Sequence, residues 1–87
     1  MVIHDSPNRR FIIDDPKGLC FLEYEEKDGI CRVIRTIVPP ELGGQGLAAQ
    51  LAQAFYQWVS ENHIPFASDC SYITAWLKRH KITDVQP

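Results

Sequence analysis

The stretch "VPPELGGQGLAAQ", Val38 to Gln50, passes from a β-branched residue and two prolines through three glycines to alanine and leucine at helical spacing. Glycines this dense before a helix let the backbone approach a ligand closely, and a helix N-terminus attracts anions. The candidate ligands are a dinucleotide, a nucleoside triphosphate and coenzyme A. A ligand-free strand-to-helix turn is the alternative, although three glycines within four positions exceed what a turn needs.

Upstream, the pattern is that of an antiparallel sheet. "FIID", Phe11 to Asp14, is stopped by Asp15, Pro16, Lys17 and Gly18, which supply turn chemistry. "LCFLEYEE", Leu19 to Glu26, and "ICRVIRTIV", Ile30 to Val38, are rich in β-branched and aromatic residues and are joined through an Asp-Gly turn. Together they predict a three-stranded meander. Strict alternation would put Arg32, Ile34, Thr36 and Val38 on one side of the third strand, and Cys31, Val33, Arg35 and Ile37 on the other. Neither set is fully polar, so both faces are expected to be partly covered. Pro39 and Pro40 end the strand.

Downstream, Leu47, Leu51, Phe55, Trp58 and Val59 form the apolar stripe of an amphipathic helix that ends near Asn62, His63 and Ile64-Pro65. "IPFASDC", Ile64 to Cys70, reads as a short strand. A second helix carrying Ile73, Trp76 and Leu77 follows, capped by Ser71 or Asp69. A right-handed crossover would lay Ile64 to Asp69 parallel to Ile30 to Val38. The expected fold is α/β of the α+β kind: three-stranded antiparallel meander, helix, strand, helix, as one domain over residues 1–87.

This architecture decides between the ligands. Gly44 to Ala49 spell G-x-G-x-x-A, with Asp69 near the end of a later strand, as a dinucleotide fingerprint requires. A dinucleotide fold, however, continues through several parallel units, whereas here a meander precedes the glycines and little chain follows Asp69. A phosphate loop of the Walker type needs lysine and Ser or Thr after its last glycine, and Gly46 is followed by Leu47 and Ala48.

"VPPELGGQGLA" resembles the pyrophosphate-binding segment of the GNAT acetyltransferases, [RQ]-x-x-G-x-[GA] after a strand often ending V-x-P. Glu41 stands where that pattern has Arg or Gln, and Gly43 occupies a position that is often basic. Both departures remove positive charge without removing a backbone N–H. The chain is similar to a short, roughly 90-residue branch of the family, in which a strand end reads like "PLCSY"; "SDCSY", Ser68 to Tyr72, matches it at Cys70, Ser71 and Tyr72. The resemblance runs from "FIID" to about His80. It implies a minimal GNAT-like fold and acetyl-CoA, or coenzyme A, as cosubstrate. Gly43, Gly44, Gln45, Gly46, Leu47 and Ala48 would hold pyrophosphate, Ile37 and Val38 would lie along the pantetheine arm, Cys70 would lie near the thioester, and Ser71 and Tyr72 would belong to the cofactor site.

Acyl transfer to an amine needs a held pyrophosphate, a deprotonated nucleophile, support for an oxyanion and protonation of the leaving thiolate. Cys70 falls between a strand and a helix start, where the helix dipole can lower a thiol pKa. It is the candidate catalytic residue, as acyl carrier or as part of the site's wall, against the alternative of a small buried hydrophobe. Direct attack by the amine, with water or a carboxylate as base, is the rival route. Tyr72 is either a proton donor to the thiolate or a half-buried tyrosine with a bonded hydroxyl. Cys20 and Cys31, inside strands, are packing residues.

His4, His63 and His80 lack metal-ligand spacing and read as surface or capping residues, so no metal site is expected. Trp58 and Trp76 read as core. Glu23, Tyr24 and Glu25 suit either a solvated strand face or an amine substrate. A net charge of -2 and a pI near 5.8 disfavour direct nucleic-acid binding. No window reaches the ~18 apolar residues of a membrane span, and the first residues lack a secretory pattern. An odd number of cysteines without a CxxC pair suits free thiols in a reducing compartment. The expectation is a cytoplasmic monomer or weak dimer that acetylates an unidentified amine. The alternative is a noncatalytic CoA-binding or protein-interaction module.

Overall fold

The computed structural model describes residues 1–82, so the last five positions of the expected 1–87 domain lie outside the described residues. Three strands form the expected meander: β2 (Arg10–Asp15), β3 (Gly18–Lys27) and β4 (Ile30–Ile37). Two shorter strands flank it. β1 (Ile3–Asp5) pairs antiparallel with β2, and β5 (Phe66–Ser68) pairs parallel with β4, giving a mixed five-stranded sheet in the order β1-β2-β3-β4-β5. β1 is an addition to the sequence-based expectation. "IHD" is too short and too polar to signal a strand, and it forms because β2 offers an open edge.

Helix α1 (Leu47–Glu61) supplies the crossover from β4 to β5, and α2 (Ser71–Arg79) follows β5. Leu51, Phe55 and Val59 of α1 join Ile73, Trp76 and Leu77 of α2 in one core with Phe11, Ile13, Cys20, Leu22, Tyr24 and Val33 of the sheet. Burying a side chain such as Phe55 or Leu22 contributes ~1.5–3 kcal/mol. α1 ends as its sequence suggests. Asn62 is the C-cap, His63 takes a left-handed conformation (φ 54°), and the Ile64 N–H donates to the Val59 carbonyl at 2.9 Å.

Both helices lie on one face of the sheet, which corrects the expectation of two partly covered faces: Leu19 and Ile37, on the other face, are exposed. Strict alternation along β4 also fails. Tyr24 pairs with Val33 but Glu23 pairs with Arg35, so Ile34 is an extra residue in a β-bulge. Beyond the bulge Thr36 sits opposite Leu22, on the helix-covered face with Val33, while Arg35 and Ile37 point away. A bulge has no periodic signature, so alternation alone assigned Thr36 to the wrong side.

Candidate functional site

The parallel pair β4–β5 stays in register for only three residues, from Cys31 opposite Phe66 to Val33 opposite Ser68; the Asp69 N–H then donates to the Val33 carbonyl at 2.9 Å. β4 bulges at this point and runs on to Ile37, whereas β5 stops. Past this point the two strands are no longer paired, and the place between their C-terminal ends is called the notch below. Open α/β sheets bind ligands in such a place.

One wall of the notch is the end of β4, the other the start of α2. The Cys70 thiol is half-buried and donates to Thr36 Oγ1 across the notch at 3.6 Å. Ser68 fixes the backbone here: its Oγ accepts from the Cys70 N–H (3.2 Å) and from the Thr74 hydroxyl (3.1 Å), and donates to the Cys70 carbonyl (3.0 Å). Cys70 itself is the N-cap of α2, so neither Ser71 nor Asp69 caps it. Ser71 is exposed, and Asp69 accepts from Arg32 Nη1 at 3.2 Å instead. The Ser68 network was missed in the sequence. Its signal was present as a serine two residues before the N-cap, a common turn device.

Tyr72 is half-buried against the core, as the sequence reading expects. The other two thiols lie deeper than Cys70. Burial pushes Cys31 up to about 11, with the Glu26 carboxylate adding to the effect, and burial followed by Asp15 raises Cys20. Both are buried, as the packing reading expects. Reactive thiols sit in the opposite environment.

From Thr36 the chain leads directly to the glycines. Ile37 is exposed on the open face, Val38 packs on the core, and a 3₁₀ turn (Pro40–Leu42) buries Leu42 as an anchor. Gly44 (φ 78°) and Gly46 (φ 76°) both adopt left-handed backbone, and a Cβ at either would meet nothing within 4 Å. Conformation, not crowding, therefore demands glycine there, and open space lies above the turn. Gly43 has ordinary extended backbone (φ −65°, ψ 151°).

Gly46 is the N-cap of α1, without a side-chain cap and without an acidic residue in the first turn. The first helical bond runs from the Gln50 N–H to the Gly46 carbonyl (3.1 Å), so the N–H groups of Leu47, Ala48 and Ala49 have no intrahelical acceptor. Gln45 is exposed, and Leu47 and Ala48 are half-buried. These donors and the helix dipole can hold an anion without a cationic side chain. Among the described residues no three His, Cys, Asp or Glu gather as metal ligands, and no helix is long and apolar enough to cross a membrane.

His4 is neither a surface nor a capping residue. It stacks on Phe11 (centroids 4.1 Å apart), meets the edge of Trp58 (4.6 Å), and its Nε2 lies 2.7 Å from the Tyr24 hydroxyl. Burial lowers its pKa against the opposing pull of Glu26 and Asp5, and burial pushes the Tyr24 phenol up to about 12. Tyr24 is thus a core residue, unlike its exposed neighbour Glu25. His63 and His80 do stand at helix ends, at the left-handed exit of α1 and the C-cap of α2. A separate depression of ≈ 480 Å³, lined by Tyr56, Val59, His63, Phe66 and Ile82 among others, lies at the far end of α1 from the glycines.

A two-layer α+β domain, in which a parallel strand pair parts beside a glycine-led helix, is thereby defined. Residues 10–85 match the family model described as GCN5-related N-acetyl-transferase, so the chain belongs to that family. No curated protein matches the chain.

Proposed function

We propose that this protein binds acetyl-CoA in the notch between β4 and β5 and transfers the acetyl group to an amine. The observation that carries the reading is the Cys70–Thr36 contact across the parted strands, at the strand end that leads directly into the uncapped start of α1. Membership of the acetyltransferase family supports acyl transfer as the class of reaction. The N–H groups from Gly43 to Ala48 would bind pyrophosphate, Ile37 and Val38 would border the pantetheine arm, and Cys70, Ser71 and Tyr72 would surround the thioester.

In the direct route the amine nitrogen attacks the thioester carbonyl carbon, the C–S bond breaks, and a proton from the amine is lost to water as the coenzyme A thiolate leaves. Tyr72 would protonate that thiolate. In the alternative route the Cys70 thiolate first takes the acetyl group, releasing coenzyme A, and the amine then displaces Cys70. Among the described residues the Cys70 thiol bonds to a hydroxyl and to no histidine or carboxylate, which favours the direct route. A noncatalytic module is favoured by one observation, the acidic Glu41 at the head of the pyrophosphate segment. Release of coenzyme A from acetyl-CoA, measured across a panel of amines and peptides, tests catalysis. An amine-dependent release supports the reading; none with any acceptor, despite bound acetyl-CoA, leaves the noncatalytic module. Intact-mass analysis separates the routes, since only the second adds an acetyl group at Cys70, and Cys70→Ala abolishes only that one.

A further inference from the structure

The sheet face away from the helices carries a second pattern, which meets the proposed cofactor site only at Ile37. The strand register lines up Ile3, Ile12, Phe21 and Ile37 across β1 to β4 as one apolar row. Ile3 and Ile37 are 49% and 45% exposed, and Leu19 on the same face is 38% exposed. Beside it runs a second row of Asp5, Arg10, Glu23 and Arg35, whose charges alternate across the strands. Arg35 pairs with Glu23 at 3.0 Å, and the Arg10 guanidinium lies 5.3 Å over the Phe21 ring.

We propose that this face docks a second copy of the chain, sheet against sheet, about a two-fold axis running along the strands between β2 and β3. Such an axis sets β1 over the partner's β4 and β2 over the partner's β3 while keeping each row at its own level. A row reading minus, plus, minus, plus is then laid against its own reverse. Asp5 faces Arg35 and Arg10 faces Glu23 across the interface, each contact twice by symmetry, and the apolar row meets itself. The charge alternation thus makes the face complementary to itself and to no uniformly charged partner. Aligned sheets pack about 10 Å apart in this manner.

The size of the face sets the strength. Four strands at ~4.8 Å spacing and about 20 Å of strand give roughly 300–400 Å² per partner. This is well below the ~800 Å² of a stable complex, so the dimer forms at roughly 0.1–1 mM and dissociates on dilution.

Sedimentation velocity over that range tests it, with circular dichroism and melting as the check on folding. The wild type is expected to shift reversibly from monomer to dimer, and Phe21→Glu to stay monomeric while folded, because its side chain lies outside the helix-covered core. Arg10→Glu and Glu23→Arg alone set like charges face to face and are expected to weaken association at least tenfold. The double variant restores opposite charges and recovers it. A wild type that is monomeric at 1 mM leaves the face to some other partner and overturns the proposal, as does a dimer that survives Phe21→Glu. Failure of the double variant to recover association overturns the proposed axis.

Discussion

Alanine in place of Gly46 separates the needs of the turn from those of the ligand. Gly46 holds φ 76° at the head of α1, and the added methyl would meet no atom within 4 Å, so steric crowding contributes nothing. What remains is the left-handed backbone, which costs an L-residue ~1–2 kcal/mol. Part of this is offset because alanine narrows the unfolded ensemble by ~0.4–1 kcal/mol relative to glycine. The net loss is about 1 kcal/mol, or roughly 4–8 °C in Tm for a domain of this size. Asparagine tolerates the left-handed region, so Gly46→Asn should lose less than half as much. Both side chains project into the open space beside the N–H groups of Leu47 and Ala48. Both variants should therefore lose most of the melting shift that acetyl-CoA gives the wild type. Thermal unfolding with and without 1 mM acetyl-CoA, on the order of a thousandfold over micromolar affinity, reads the two effects separately. Alanine as stable as glycine would refute the conformational argument. A full ligand shift in both variants would refute the placement of the anion.

Three further outcomes follow from the geometry. Phe55→Ala, at the centre of the core and 1% exposed, should lose about 3–5 kcal/mol, visible as a lower urea midpoint or as failure to fold. A thiol reagent should modify one cysteine of the native protein quickly, Cys70, and all three after denaturation, with peptide mapping to identify the fast site; rapid labelling at Cys20 or Cys31 would contradict their burial. The lowered pKa of His4 means that the unfolded chain takes up its proton first as pH falls. The stability that neutral His4 contributes is therefore present above its ordinary value of 6.5 and lost as pH drops through the depressed value, and His4→Gln should flatten the melting temperature between pH 7.5 and 5.

Much of this was legible because it is periodic or local. The apolar spacing from Leu51 to Val59 marked α1, the Asp-Gly turn marked the β3–β4 hairpin, and the glycines after Pro40 marked the turn into the helix. What was hidden is set by tertiary structure. β1 exists only because β2 has an open edge, and with it came the aromatic cage of His4, which local sequence assigned to the surface. Thr36 reached Cys70 only through the bulge at Ile34, which breaks the alternation on which strand faces are read. Cys70 is the N-cap of α2 with no side-chain cap bond from Ser71 or Asp69, and Ser68 instead holds the Cys70 N–H and carbonyl, a contact made only once β5 and α2 are in place.

Calorimetric titration with acetyl-CoA tests the central claim most directly. Saturable binding at one site per chain is expected, abolished by bulk at Gly44 or Gly46 and retained in Phe21→Glu, whose substitution lies on the opposite face. The absence of any binding heat at millimolar acetyl-CoA, by a chain shown to be folded, would contradict it.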